Sequence, residues 1–202
     1  MARKPVINLL SLRNLTVSMR IFILTGLPGS GKTTVILKTF EVLRGRGVHV
    51  DGFVTQEVRE GGRRVGFKAV DLISGNSCWL AKVGMGGERR VGKYTVLLQD
   101  FEELLIKVLN RAEMTASVIV VDEIGPMELK SRIFLPILKE KIAKGKILLA
   151  TMHRSLLTSA CDLLGEEAFA IWEVTIANRD KLPEMIAGKV ENLVSRSLGI
   201  DG

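Results

Sequence analysis

Apolar residues fall along the chain in two alternating rhythms: short unbroken runs, and longer stretches repeating every three to four positions. Residues 20–25 form the first run, a strand ending in glycines. A helix is expected over 32–43, with Ile36, Phe40 and Leu43 on one face and Gly45 and Gly47 as its stop. Residues 48–54 read as a second strand. Extended segments 55–60 and 63–70 around Gly61-Gly62 predict an antiparallel hairpin. Residues 81–92 carry Gly84, Gly86, Gly87 and Gly92 among charges, which predicts a mobile loop. Asp100 with Glu103 predicts a capping-box start for a helix whose apolar face is Phe101, Leu104, Leu105, Val108, Leu109 and Ala112. The β-branched run 118–121 is a strand buried on both faces. A helix over 127–144 is expected to kink or restart at Pro136 and stop at Gly145. A strand at 147–151, a short helix at 155–164 and a last strand at 169–176 follow. Asp180 is the expected cap of a final helix, with Leu182, Ile186, Val190 and Val194 along one face.

Strands alternating with helices, without a repeat or linker, predict an α/β fold of three layers. Its sheet is mostly parallel, with helices on both faces and an inserted antiparallel hairpin. A ligand is then expected at the carboxyl edge of the strands. The domain is expected to begin at Met19 and run to Gly202. Residues 1–18, with Arg3, Lys4 and Arg13 and no acid, read as a basic leader or a mis-set start.

Composition narrows the function more than the fold. The hydrophobic share of 47% and charged share of 25% are ordinary for a globular chain. No apolar run approaches the ~18 residues that a membrane-spanning helix needs, so no membrane partner is expected. Cys78 and Cys161 are too far apart for a zinc motif; buried thiols in a reducing cytoplasm are the expectation. A net charge of +7 favours phosphate-bearing ligands over an extended nucleic-acid surface.

The chemistry concentrates in two segments. Gly26, Leu27, Pro28, Gly29, Ser30, Gly31, Lys32 and Thr33 form a complete G-x-x-x-x-G-K-[ST] loop between strand and helix, with Thr34 following. Glycines let backbone N–H groups converge on an anion, and the helix adds its positive end. Lys32 is placed to reach the β- and γ-phosphates, and the Thr33 hydroxyl to ligate Mg²⁺. The second segment is Val118, Ile119, Val120, Val121, Asp122, Glu123, Ile124 and Gly125, an apolar strand ending in two carboxylates. Asp122 suits the magnesium shell, and Glu123 the orientation or deprotonation of an attacking water. Glu128, after Gly125-Pro126, is either a supporting group or a first-turn helix acid. Arg63, Arg64, Arg89, Arg90, Lys93, Arg132 and Arg154 are all candidates to neutralise transition-state charge. His153 reads as a hydrogen-bonded structural group rather than a phosphate sensor.

GLPGSGKTT, VDGFVTQEVREGGRRVGFKAVDL, VGKYTV, FEEL, VIVVDEIGPMEL, ATMHR and VTIANRDKLP together resemble the small P-loop nucleoside-triphosphatases of thermophilic bacteria and archaea. The human relative of that family is the cancer-related nucleoside-triphosphatase. The resemblance runs from Met19 to Ile186. It implies a RecA-like P-loop fold that hydrolyses ATP, GTP and other nucleoside triphosphates to diphosphate and phosphate with Mg²⁺, with broad base specificity. It also implies that Gly26–Thr33 is the phosphate loop, that Asp122 and Thr33 belong to the metal shell, and that Glu123 is the catalytic acid. Asn178-Arg179-Asp180 matches a family segment near the base, and helix capping explains it equally well. A nucleotide or nucleoside kinase and a nucleotide-gated RNA- or protein-binding module remain alternatives, and a monomer or weak oligomer is expected. One tyrosine and two tryptophans leave little for base stacking by RNA.

Overall fold

The computed structural model describes residues 19–165 and 169–197, so the leader lies outside the described residues. Strand β1 (Ile21–Thr25) shows the logic of the sheet. Ile21 and Ile23 face one core and Phe22 and Leu24 the other, all fully buried, because side chains alternate along a strand. The alternation repeats in β7 (Val118–Ile124) and β8 (Ile147–Met152). Helices α2 (Leu98–Thr115) and α3 (Phe134–Ala143) close one face; α1 (Lys32–Gly45) and α5 (Leu182–Ser197) close the other. This is the three-layer arrangement that a doubly buried parallel sheet requires.

Among the described residues the sheet has nine strands, in the order β5-β6-β4-β3-β2-β7-β8-β1-β9. β2 (Val50–Glu60), β7, β8, β1 and β9 (Phe169–Glu173) form the parallel half. β3 (Arg63–Asp71), β4 (Ser77–Val83), β6 (Tyr94–Val96) and β5 (Arg90–Val91) continue it antiparallel. The antiparallel insertion is therefore four strands wide, larger than one hairpin. The expected second strand and first hairpin arm are one continuous β2, because that strand runs past the end of its parallel partner β7 and pairs onward with β3 alone.

Other boundaries move for identifiable reasons. The expected mobile loop at 81–92 is partly β4 and β5, tied to β6. α2 begins at Leu98 without a side-chain cap, so Asp100 sits inside the first turn, favoured there by the helix dipole. The single helix expected at 127–144 is a 3₁₀ turn, Glu128–Lys130, followed by α3, and Pro136 lies in α3's first turn, where a missing N–H costs no hydrogen bond. Residues 155–164 are likewise a 3₁₀ segment, Arg154–Ser159, and the short α4 (Ala160–Leu164). α5 starts at Leu182, two residues beyond Asp180. Cys161 is exposed and Cys78 only half-buried, so the thiols are not both core residues. No helix among the described residues is long and apolar enough to cross a membrane.

Candidate active site

The phosphate loop leaves β1 at Thr25 and enters α1 at Lys32. Gly26 takes φ 153°, and a Cβ there would lie 2.7 Å from both Ser30 Oγ and the Val174 carbonyl, so only glycine lets the chain turn this tightly. Gly31 precedes the helix with no side chain capping its first N–H groups. Those donors and the helix dipole are thereby left to an anion. Lys32 Nζ donates to the Gly26 carbonyl at 3.2 Å, which keeps the ammonium at the loop's mouth.

β7 lies two strands from β1, with β8 between them. Its pairing to β8 is interrupted between Val121 and Ile124, releasing Asp122 and Glu123 from the regular ladder. Asp122 is 3% exposed, and the Thr33 hydroxyl donates to its Oδ2 at 2.8 Å. The Thr151 hydroxyl donates to Oδ1. Burial pushes the Asp122 carboxyl above its ordinary range, opposed by Thr151, Thr33 and the nearby Lys32 ammonium. Glu123 is half-buried, and burial pushes its carboxyl up to about 7, with Lys32 opposing and Asp122 adding to the rise. A buried oxygen ligand beside a hydroxyl, lacking a full cationic partner, fits a hard cation. No cluster of three or more His, Cys, Asp or Glu side chains suited to a metal occurs among the described residues. The Thr33–Asp122 pair offers one hydroxyl and one carboxylate oxygen, a hard donor set that would leave the remaining positions to substrate phosphates and water.

Both segments open into one cleft of about 950 Å³, lined on this side by Gly26, Pro28, Gly29, Lys32, Thr33, Asp122, Glu123 and Gly125. Glu128 completes its floor at 3% exposure, with Oε1 3.5 Å from the Thr55 hydroxyl. A Cβ on Gly125 would meet Glu128 Oε2 at 2.9 Å and Glu123 Cγ at 3.5 Å, so the turn holds the two acids on either side of a bare backbone. Burial pushes Glu128 up to about 8, and the Glu123 and Asp122 charges add to it. Glu128 is thus a buried group of the site, though it does open the short 3₁₀ turn.

Of the candidate arginines, only Arg64 and Arg154 line the cleft. Arg64 is committed to Glu57, whereas Arg154 has only a 3.7 Å contact with Glu173 and its side chain is 49% exposed. His153 also lines the cleft, while its Nδ1 serves the turn at Ser155. Asn178 caps a local turn, accepting from the Thr175 N–H at 2.8 Å and donating to the Glu173 carbonyl at 2.9 Å. Arg179 packs over Gly31, its Cδ 3.3 Å from where a Cβ would sit.

The sequence reading missed Thr151 and the outer cleft wall. Thr151 was legible, as the hydroxyl ending an apolar strand beside the acidic one. Gln56, Phe67, Val91 and Tyr94 were not, since they converge only through the antiparallel extension.

A family model described as NTPase matches residues 21–187. The chain belongs to that family. Among its relatives is the nucleoside-triphosphatase THEP1 of Thermofilum pendens, 47% identical over 87% of this chain and 97% of the relative. The crystal structure of THEP1 from Aquifex aeolicus superposes with a TM-score of 0.73 at 32% identity, covering 85% of this chain and 99% of that one. The solution structure of a human cancer-related nucleoside triphosphatase gives 0.72 at 39% identity, covering 86% and 98%. Family membership makes the chain a hydrolase of the nucleoside-triphosphatase class with a P-loop fold, which bears out the fold and enzyme class expected from its motifs.

Proposed function

We propose that the chain hydrolyses ATP, GTP and other nucleoside triphosphates to diphosphate and phosphate by in-line attack of a water held at Glu123. The observation that carries this reading is the position of Glu123: half-buried next to Asp122, lining the same cleft as Gly26, Lys32 and Thr33, and close enough to Lys32 for that charge to act on its carboxyl. A carboxyl raised to about 7 is matched to accepting a proton near neutral pH. The residues of Gly26–Thr33 bind the phosphate tail through backbone N–H groups, and Lys32 neutralises its terminal oxygens. Thr33 and Asp122 would hold Mg²⁺, which when bound supplies positive charge to the β- and γ-phosphates. Thr151 fixes the Asp122 carboxylate by hydrogen bonding. Arg154 is assigned the further transition-state cation, because it lines the cleft and is not consumed by a strong ion pair.

The base is assigned to the Arg179 side of the loop. Leu27 in the loop and Ile176 beside Asn178 are 61% and 77% exposed, apolar surface that would favour a base without reading its edge, which supports broad base specificity. Use of the cellular triphosphate pool and two free cysteines support a cytoplasmic location. The reading requires no membrane or nucleic-acid partner, and a monomer or weak oligomer suffices.

Phosphate release from ATP, GTP, CTP, UTP and TTP, with and without magnesium, tests the proposal. Steady, magnesium-dependent release from all five is expected. Glu123→Gln should retain nucleotide binding and lose roughly 10²–10⁴ in rate, and Lys32→Ala should lose binding or turnover. A Glu123→Gln rate near that of the native chain would overturn the assignment of the base.

A further inference from the structure

Glu128 is a buried carboxyl of the cleft to which hydrolysis at Glu123 gives no task. It is 3% exposed, lines the cleft with Glu123 and Thr55, and no lysine or arginine among the described residues pairs with it. A helix role does not account for it, because the turn it opens, Glu128–Lys130, is too short to carry a macrodipole. A carboxyl buried without a cation costs stability that a leucine would not, which marks a group placed for chemistry.

Across the bare backbone of Gly125 stands Glu123. The position that a Gly125 Cβ would take lies 2.9 Å from Glu128 Oε2 and 3.6 Å from Glu123 Cδ, so that oxygen and that carbon are at most about 6.5 Å apart. One water with hydrogen bonds of about 2.8 Å on each side spans such a gap. Backbone bonds fix the spacing: the Leu129 N–H donates to the Gly125 carbonyl and the His153 N–H to the Ile124 carbonyl, each at 3.0 Å. On its other side, Glu128 Oε1 lies 3.5 Å from the Thr55 hydroxyl.

A water held by one acceptor still turns about that hydrogen bond, whereas two acceptors fix both O–H directions and with them the lone pairs. The second acceptor serves best uncharged, since a further anion would repel the terminal phosphate. Burial pushes Glu128 up to about 8, and the Glu123 and Asp122 charges add to the rise, so it keeps its proton near neutral pH. Its O–H then turns to Thr55 and leaves a carbonyl oxygen to accept.

We propose that Glu128 is the second acceptor for the attacking water, a catalytic residue that fixes one O–H of that water while Glu123 takes the proton of the other. The proposal rests on the hydrolytic reading and its assignment of Glu123. The water oxygen bonds to the γ-phosphorus, the bond to the β–γ bridging oxygen breaks, and its electron pair leaves with the diphosphate. One proton passes to Glu123 and on to solvent. The O–H that Glu128 holds stays on the released phosphate.

Phosphate release from magnesium ATP by the full chain tests the proposal, beside affinity for a non-hydrolysable ATP analogue. Glu128→Leu, which removes the acceptor, should lower kcat by about 10². KM and analogue affinity should stay within about threefold of the native values. Glu128→Gln keeps a neutral carbonyl oxygen and a donor for Thr55, so it should lose less than about tenfold. Circular dichroism identifies a variant that fails to fold. Glu128→Asp, whose carboxyl falls short by one methylene, then stands in for Glu128→Leu with the same expected loss. A folded Glu128→Leu or Glu128→Asp with near-native kcat, beside a Glu123→Gln that has lost turnover, overturns the role of Glu128 and leaves hydrolysis standing. A Glu128→Gln rate as low as that of Glu128→Leu also overturns it, as does a loss that appears in KM with kcat preserved. No phosphate release from the native chain overturns both readings.

Discussion

Acids gather at the two opposite ends of the β2–β7 pair, and the two groups are neutralised in opposite ways. At the amino end of β2, Asp51 and Asp71, each 2% exposed, close on Arg111 through four hydrogen bonds of 2.6–2.8 Å. At the carboxyl end of β7, Asp122 and Glu128 have hydroxyl partners, and Asp122 and Glu123 feel the Lys32 charge, but none of the three is paired with an arginine. Against its burial, Arg111, the Ser74 hydroxyl and the Ile73 and Ser74 N–H groups hold Asp71 well below the ordinary carboxylate range, whereas burial holds all three acids at the other end above it. An acid group whose countercharge comes from within the chain is structural. One left short of positive charge is suited to receive it from a ligand, and its stability cost marks a functional site.

Removing the internal cation should break the comparison most severely. Arg111→Ala leaves Asp51 and Asp71 buried and unpaired, and should destabilise the fold by about 3–5 kcal/mol in denaturant unfolding. A loss below about 1 kcal/mol would show that the lower cluster gains little from its arginine. At the other end, Arg154→Ala should lower kcat by about 10²–10³ with a much smaller change in KM, because the charge it meets develops in the transition state. An equal rise in KM with kcat preserved would make Arg154 a binding residue instead.

The same contrast explains what was legible beforehand. The phosphate loop and the acidic strand end are each a contiguous segment that carries its chemistry in its spacing, so both could be singled out as candidates, and the structure brings them to one cleft. The doubly buried strands were equally plain, since unbroken apolar runs such as 118–121 have few other homes in a fold of this size. Arg111, by contrast, sits on the polar side of an amphipathic helix and reads as a solvated charge until the sheet brings Asp51 and Asp71 under it. Glu128 could not be decided between a supporting group and a helix acid for the same reason, because its place in the site comes from Thr55 and the turn at Gly125, distant or silent in the pattern. Choosing among the arginines likewise needed the cleft.

The two ends should also give opposite pH responses. Asp71 is depressed, so its contribution is present above the ordinary carboxylate value and is lost as pH falls. Glu128 is raised from 4.5 to about 8. Between those values the folded chain holds a proton that the unfolded chain has released, and stability declines as pH rises through that window. Glu128→Gln should remove roughly 2–3 kcal/mol of this decline, since one pKa unit is about 1.4 kcal/mol and neighbouring acids share the titration. Unfolding at pH 5 and pH 8.5 checks it; an unchanged pH slope would mean that Glu128 ionises freely.

Magnesium without nucleotide gives the smallest effect and separates the two clusters most directly. A cation that binds only the folded chain stabilises it by about 1.4 kcal/mol at ten times its Kd. Asp122 offers a carboxylate oxygen beside the Thr33 hydroxyl, and its burial makes the ionised form welcome a positive neighbour. Asp51 and Asp71 offer none, since Arg111 already occupies both. Titrating magnesium at pH 8 should therefore raise the Tm of the native chain and leave that of Asp122→Asn almost unmoved. The rise should shrink towards pH 5, where protons compete for the raised carboxyls. An equal rise in both proteins would place the metal away from Asp122, and the asymmetry between the two ends of the sheet would then have some cause other than preparation for a cation.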